Sequence, residues 1–316
     1  MSRAPHQLCL SSDHQVLTED GRWVPLESPM TRIVCYDHDT EALHPTAVSR
    51  CERRKENAPI YMYEVQSLDL SFRVALDQSL YVKAKHDTDF ADKKIRNVLG
   101  AAIYYKKGAP EYVVEDAYQQ TATTSKETFA LDRLFMFLLP RVVSRNKTLL
   151  AFTYQTDAER DRLNEILENM PDCHILLRCM DKTTAFLFQP DALFAGRSFH
   201  MMAKYPYMQR EVLLMDMFAG LTTVSVDAMI ADDAQALLVL TGFTADLCAL
   251  APVHEHDGRP RVGLRLSHSE PYDCLHQPTQ NVENIAYSAD GEALLTLTVA
   301  DGRFPLLRRN GRLCIL

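Results

Sequence analysis

Several things are scarce in this sequence, and each scarcity excludes something. None of its eight cysteines stands in a C-x-x-C pair, which argues against a structural zinc site of that kind. Eight cysteines in 316 residues do not make a secreted disulfide scaffold, so reduced thiols and a non-secreted protein are expected. No apolar run approaches the roughly 18 residues that a membrane helix needs, and no signal peptide is recognisable, so no membrane association is expected. Positive charge is short as well. Against 42 Asp and Glu there are 34 Lys and Arg, a net charge of −8, whereas a surface that grips nucleic acid throughout needs clustered cations.

What is present sets a frame. Hydrophobic residues make up 47% and charged residues 24%. A core is therefore available for one large domain or two ordinary ones, and nothing marks the chain as disordered. Most of the reading turns on Cys9–Leu26, CLSSDHQVLTEDGRWVPL. Gln15–Thr18 is a short strand and Glu19-Asp20-Gly21 a turn in which glycine allows positive φ. Arg22–Leu26 is the returning strand, with Pro25 at an edge. His14 is expected to be a partly exposed strand-edge residue with no catalytic part.

Further on, Thr31–Tyr36, Thr46–Cys51, Tyr61–Leu70 and Ser71–Lys85 alternate apolar and polar residues, so the opening 85 residues read as all-β. Residues 86–126 read as a basic insertion. Lys93, Lys94, Arg96, Lys106 and Lys107 lie there with Tyr104 and Tyr105, a mixture suited to nucleic acid, although acidic residues dilute it. From about Glu127 the period becomes helical, with helices expected at Phe129–Val143, Asp157–Met170, Tyr207–Phe218 and Asp232–Thr241. Pro140 breaks the first and Gly242 caps the last. Thr148–Gln155, Cys173–Met180, Thr183–Gln189, Val262–Leu266 and Leu294–Val299 read as strands. His254-Glu255-His256 has the look of a metal pair but no third ligand nearby, and reads as a surface loop. No metal or cofactor is expected.

The Cys9–Leu26 string resembles the opening block of the Hint module, the fold of inteins and Hedgehog autoprocessing domains. In that family the cysteine attacks the preceding carbonyl and converts the peptide bond to a thioester, and on the resemblance Cys9 occupies the nucleophile position. Phe72–Val82, FRVALDQSLYV, resembles the family's second block, normally Thr-x-x-His. Ala75 stands at the Thr position and Gln78 at the His position. Ala75 has no hydroxyl, and Gln78 can donate a hydrogen bond but cannot carry the proton. The acyl shift is therefore expected to be disabled. Leu295–Phe304 followed by Arg308-Arg309-Asn310-Gly311 resembles the penultimate intein block, without the terminal Asn or a downstream nucleophile. Asn310-Gly311 reads as an ordinary hairpin turn.

The helix–strands–helix order, given twice within 127–248, resembles the LAGLIDADG homing-endonuclease domain inserted in many inteins. Arg210-Glu211-Val212-Leu213-Leu214 fits the start of its second signature helix. That class works through one acidic residue at the foot of each signature helix, the pair holding divalent metal. The corresponding positions hold Arg141 and Gly220, with Asp216 about one turn too early. Neither Arg nor Gly binds Mg²⁺, so the resemblance implies a nuclease that no longer cuts.

Together these readings give an α+β fold class. An all-β Hint-like, horseshoe module is built from 1–85 and 251–316, with the basic insertion 86–126 and a degenerate LAGLIDADG-like domain over 127–250. The expected function is a catalytically inactive chain kept as a structural or interaction subunit among the other proteins of a larger assembly. Free-standing intein-like chains resemble ones found in large DNA viruses, which makes a virus particle one such assembly. The expected location is accordingly intracellular, in cytoplasm or nucleus, or the virion. Two alternatives stand beside it: a non-cleaving protein that binds duplex DNA, and residual autoprocessing that depends on Cys9.

Overall fold

The structure, a computed structural model, describes residues 4–54, 60–113, 125–145, 148–170, 177–179, 184–188, 193–194, 196–249, 260–266, 272–278, 282–288 and 292–316. Ten strands come first: β1 (His6–Ser11), β2 (Gln15–Leu17), β3 (Trp23–Pro25), β4 (Arg32–Asp37), β5 (Ala42–Arg53), β6 (Tyr61–Gln66), β7 (Ser71–Ala75), β8 (Ser79–Ala84), β9 (Ala91–Lys94) and β10 (Ile103–Lys106). Helices and strands then mix: α1 (Lys126–Leu138), β11 (Val142–Arg145), β12 (Leu149–Thr153), α2 (Asp157–Glu168), β13 (Leu177–Cys179), β14 (Thr184–Phe188), α3 (Phe199–Met202), α4 (Tyr207–Phe218), β15 (Thr223–Asp227), α5 (Ala231–Leu240), β16 (Ala245–Cys248) and β17 (Arg261–Leu266). The last strands are β18 (Asp273–His276), β19 (Val282–Tyr287), β20 (Leu294–Val299), β21 (Phe304–Arg309) and β22 (Arg312–Ile315). The protein is of the α+β class, with strand outweighing helix. No helix among the described residues is long and apolar enough to cross a membrane.

Two compact units divide the chain. Unit 1 takes 1–118, 238–246 and 267–316; unit 2 takes 119–237 and 247–266. Unit 1 is built on a 15-stranded sheet in the order β19-β6-β7-β1-β20-β5-β4-β21-β22-β10-β8-β9, with β2, β3 and β18 attached. β1 lies between β7 and β20, and Cys9 stands opposite Thr296. Strands from near both ends of the sequence thus complete one sheet. Its core takes the inward side chains of strands with a period of two, among them Leu8, Leu10, Tyr63, Phe72, Tyr105 and Leu297. Each such side chain contributes about 1.5–3 kcal/mol by leaving water. The β21–β22 hairpin turns at Asn310 (φ 50°) and Gly311 (φ 74°), both positive as a type I′ turn requires.

Residues 86–126, read from the sequence as an insertion, contribute β9 and β10 to this sheet. β10 pairs with β8, β18 and β22. The reason lies in the period: Ile103 and Tyr105 point inward and are buried, while Tyr104 and Lys106 alternate with them. Counting charges along the segment hides that alternation.

In unit 2, α1 and α4 pack against each other. α1 buries Leu134, Phe137 and Leu138, and α4 buries Leu213, Leu214 and Met217. Ser125 caps α1 by accepting the Thr128 N–H at 3.1 Å. The helix stops ahead of Pro140, which cannot continue it. β11, β12, β14 and β13 form a four-stranded antiparallel sheet, and β15 pairs antiparallel with β17.

The expected glycine cap at the end of α5 is a Schellman motif. Phe243 N–H reaches Leu238 O at 2.9 Å and Gly242 N–H reaches Val239 O at 3.0 Å. Gly242 has φ +82°, and a Cβ there would stand 2.2 Å from the Pro110 carbonyl oxygen. Gly242→Ala should therefore cost more than the ~1–2 kcal/mol of the left-handed conformation alone. Gly220, at φ +84° with open space around it, supplies the control: Gly220→Ala should cost only the conformational part. Denaturant titration of the two variants tests the difference, and equal costs would refute the steric account.

Candidate functional site

Two places carry the chemistry read from the sequence, one in each unit. In unit 1, Cys9 is 2% exposed and packs in a small cluster with Met62, Ala75 and Leu294, with Ile60 at its margin. The fold thus brings together the two residues, Cys9 and Ala75, that the resemblance pairs. Gln78 lies in the turn after β7. Its N–H reaches Ala75 O at 3.1 Å, and its side-chain amide donates to Asp77 Oδ1 at 3.0 Å. Around Cys9 this cluster offers methyl and methylene groups.

His14 differs from expectation. It is fully buried. Its Nε2 accepts the Arg73 N–H at 3.2 Å, so Nδ1 carries the proton and donates to the Ser11 carbonyl at 3.0 Å. Ser11 Oγ lies 3.2 Å from the same nitrogen and donates to Asp13 Oδ1 at 2.6 Å. Burial pushes the imidazole down to about 4, with the Asp13 carboxylate pulling the other way. Asp13 Oδ2 takes the Arg309 Nε–H at 2.6 Å, and Arg309 Nη1 reaches Glu64 at 2.6 Å. Asn310 Nδ2 donates to Ser71 Oγ at 3.1 Å. The block around His14 is thus a polar joint between the first hairpin and the last. An exposed edge is the natural reading of His14 because the N–H that its Nε2 accepts, that of Arg73, lies 59 positions away.

In unit 2 the feet of α1 and α4 meet at Arg141, which is buried. Its Nη1 donates to Phe137 O at 2.6 Å, in the last turn of α1, and to Met217 O at 3.0 Å, in the last turn of α4. A guanidinium there answers the negative end of both helix dipoles. Its Nε donates to Glu159 Oε1 at 2.9 Å. Glu159 Oε2 accepts the N–H groups of Gln155 and Thr156 at 2.7 and 3.0 Å, completing a capping box with Thr156 at the start of α2. Burial would raise this carboxyl. The Gln155 and Thr156 N–H groups and the Arg141 charge outweigh it and hold Glu159 below the ordinary range.

Asp216, in the last turn of α4 and about one turn before Gly220, is fully buried and bound by cations. Arg133 Nε lies 2.8 Å from its Oδ2, and Arg162 Nε lies 2.5 Å from its Oδ1. Gly220 has φ +84° and follows Ala219 at φ 45°, so both serve as the left-handed end of the helix. No group of three or more His, Cys, Asp or Glu among the described residues is placed to hold a metal ion. His254-Glu255-His256 lies outside the described residues.

The five cations assigned to nucleic acid are not alike. Lys107 is buried, with its Nζ 2.5 Å from Asp246 Oδ2. It follows Tyr105 on the inward side of the strand, which corrects the reading of it as a DNA contact. Lys106 Nζ lies 3.2 Å from Asp273 Oδ1 and 4.8 Å from the centre of the Phe90 ring. Lys93 is paired with Asp87. Lys94 and Arg96 are exposed. The two aromatics that lie among these cations are engaged within the fold: Tyr105 is buried with its ring 5.1 Å from that of Phe72, and Lys83 lies over the Tyr104 ring at 5.1 Å.

No protein-family model matches this chain, and no curated protein sequence matches it. Among solved structures it is similar to the full-length DUF199/WhiA protein of Thermatoga maritima, at 10% identity and a TM-score of 0.30, over 47% of this chain and 54% of that one. The chain thus spans about half the length of that protein. A likeness at this level carries no argument about fold or function.

Proposed function

We propose that this chain is a non-catalytic relative of the Hint and LAGLIDADG proteins it resembles, with a Hint-like module in unit 1 and a degenerate LAGLIDADG-like domain in unit 2. Its role is that of a structural or interaction subunit among other proteins of a larger assembly, of which a virus particle is one example. Arg141 carries the reading. On the resemblance its position is that of a metal-binding acid, and here it holds a guanidinium bonded to the last turns of both helices and to Glu159. A cation that joins the two helices stands where the chemistry would need an anion that binds a cation. In unit 1, Cys9 is buried in an apolar cluster with Met62, Ala75 and Leu294, and Ala75 brings no hydroxyl to the position where the family has Thr. The DNA-binding alternative keeps two of its five cations, Lys94 and Arg96, on open surface.

Three measurements test this. Supercoiled and linear duplex DNA incubated with the chain and Mg²⁺ or Mn²⁺ should stay intact. Fluorescence anisotropy with a short duplex should show no binding whose logarithm falls steeply with salt. A slope corresponding to about four or more phosphates would favour the DNA-binding reading. The intact mass of the Cys9→Ala variant should differ from the parent by the side chain alone. Nicking, such a slope, or a cleaved product that Cys9→Ala abolishes would each defeat the proposal.

A further inference from the structure

β6 and β19 run antiparallel, with Tyr61, the first residue of β6, opposite Tyr287, the last of β19. Side chains opposite one another in such a ladder lie on one face of the sheet. On that face Tyr63, two positions along β6, is buried in the core, whereas Tyr61 and Tyr287 stand beyond its rim, 48% and 55% exposed. Their ring centres are 4.0 Å apart, the planes are 33° from parallel, and the two phenol oxygens are hydrogen-bonded to each other. The hydroxyl ends are thus nearer together than the ring centres, which draws together the Cε carbons that flank the hydroxyls. The two residues are 226 positions apart in the chain, so only the folded sheet makes them neighbours.

We propose that Tyr61 and Tyr287 form a modification site, a pair set for oxidative coupling to a dityrosine that ties β19 to β6. The coupling takes an oxidant from outside the chain, of the class of a haem peroxidase working with hydrogen peroxide. The oxidant removes one electron from each phenol, and each phenol gives its hydroxyl proton to water. The two radicals pair their electrons in a new bond between a Cε of Tyr61 and a Cε of Tyr287. The hydrogen on each of those carbons then moves to the ring oxygen, which restores both phenols. The electrons and protons reduce one peroxide to two waters, its O–O bond breaking, and the protein ends two hydrogen atoms lighter.

Contact and exposure together single out this pair. Groups already in contact couple at an effective concentration far above that of any second chain in solution. Exposure lets the oxidant reach both rings and lets water take both protons. Two other tyrosine pairs among the described residues come near each other without that access. The hydroxyls of Tyr63 and Tyr105 lie 3.4 Å apart but are buried. The ring centres of Tyr36 and Tyr81 lie 5.6 Å apart, and both residues are buried as well. In such places the proton of an oxidised phenol has no water to take it.

The proposal does not rest on the function argued above. The dilute full chain, treated with a haem peroxidase and hydrogen peroxide, should gain dityrosine fluorescence while staying monomeric on a denaturing gel. Proteolysis and tandem mass spectrometry should find the peptides of Tyr61 and Tyr287 joined, two hydrogen atoms lighter than their sum. Tyr61→Phe and Tyr287→Phe keep each ring and remove its hydroxyl, so far-UV circular dichroism should not change. Each should lower the yield of dityrosine within the chain at least about tenfold, because the surviving phenol has lost its neighbour. Tyr207→Phe removes a comparably exposed phenol from unit 2 and should leave the yield unchanged. No dityrosine, dityrosine only between chains, or a yield indifferent to Tyr61→Phe or Tyr287→Phe would each overturn the proposal.

Discussion

Arg141→Met is expected to lower the stability of unit 2 by about 3–5 kcal/mol, the cost of removing one partner from a buried ion pair. The methionine fills much of the same space but leaves three acceptors behind. Glu159 keeps a buried negative charge whose nearest cation has gone, and Phe137 O and Met217 O each lose a donor at 2.6 and 3.0 Å. For a unit of this size the loss corresponds to a fall in Tm on the order of 10 °C. Arg141→Lys should fall between the two, because one ammonium cannot reproduce a planar fork that serves a carboxylate and two carbonyls. Adding Glu159→Gln to Arg141→Met should recover part of the loss, since the amide still accepts a capping N–H and the stranded charge is removed. A double-mutant coupling of about 1–3 kcal/mol is the expected reading. A single-variant cost under about 1 kcal/mol would show that the guanidinium is solvated rather than enclosed. The account of Arg141 as the joint between the two helix feet would then fall.

Local chemistry was legible in the sequence, and distant contact was not. Tyr207–Phe218 and Leu294–Val299 end at the residues that period and turn signals gave them, because an apolar face and a strand alternation are written into neighbouring positions. The Gly242 cap and the Asn310-Gly311 turn are equally local, each set by the positive φ its turn demands. Membership in a sheet is set elsewhere. Lys107 looks like any surface lysine until Asp246, 139 positions on, is brought to 2.5 Å. β18 and β19 carry mixed sequences that only the pairing with β10 and β6 makes into strands. The candidate site divides in the same way. That Arg141 stands where the resemblance wants an acid could be read directly. That it bonds to Met217 O and to Glu159 could not, since those partners lie on other helices.

The second large effect is one of pH, and it belongs to His14. Its folded imidazole titrates at about 4 against 6.5 for the ordinary side chain, chiefly because burial disfavours the cation. Between those values the unfolded chain holds a proton that the folded chain refuses, so stability must fall as the pH falls. The contribution is complete above about pH 6.5 and is lost progressively down to about pH 4, a difference of about 3 kcal/mol. Asp13, held below its ordinary range by the Ser11 hydroxyl and Arg309 in spite of its burial, loses its share only at lower pH. His6 and His276 are lowered by burial too and act in the same direction as His14, so the parent's curve alone cannot assign the effect. His14→Gln can. Its amide oxygen can accept the Arg73 N–H now taken by Nε2, and it does not titrate. The variant should be less stable than the parent at pH 8, where it lacks the bond from Nδ1 to Ser11 O. It should lose about 3 kcal/mol less than the parent on going from pH 7 to pH 4, so that the two stability curves converge or cross in acid. Parallel curves would mean that His14 accepts its proton inside the fold. The joint between the first and last hairpins would then rest on Arg309, Asp13 and Glu64, with the imidazole as a bystander.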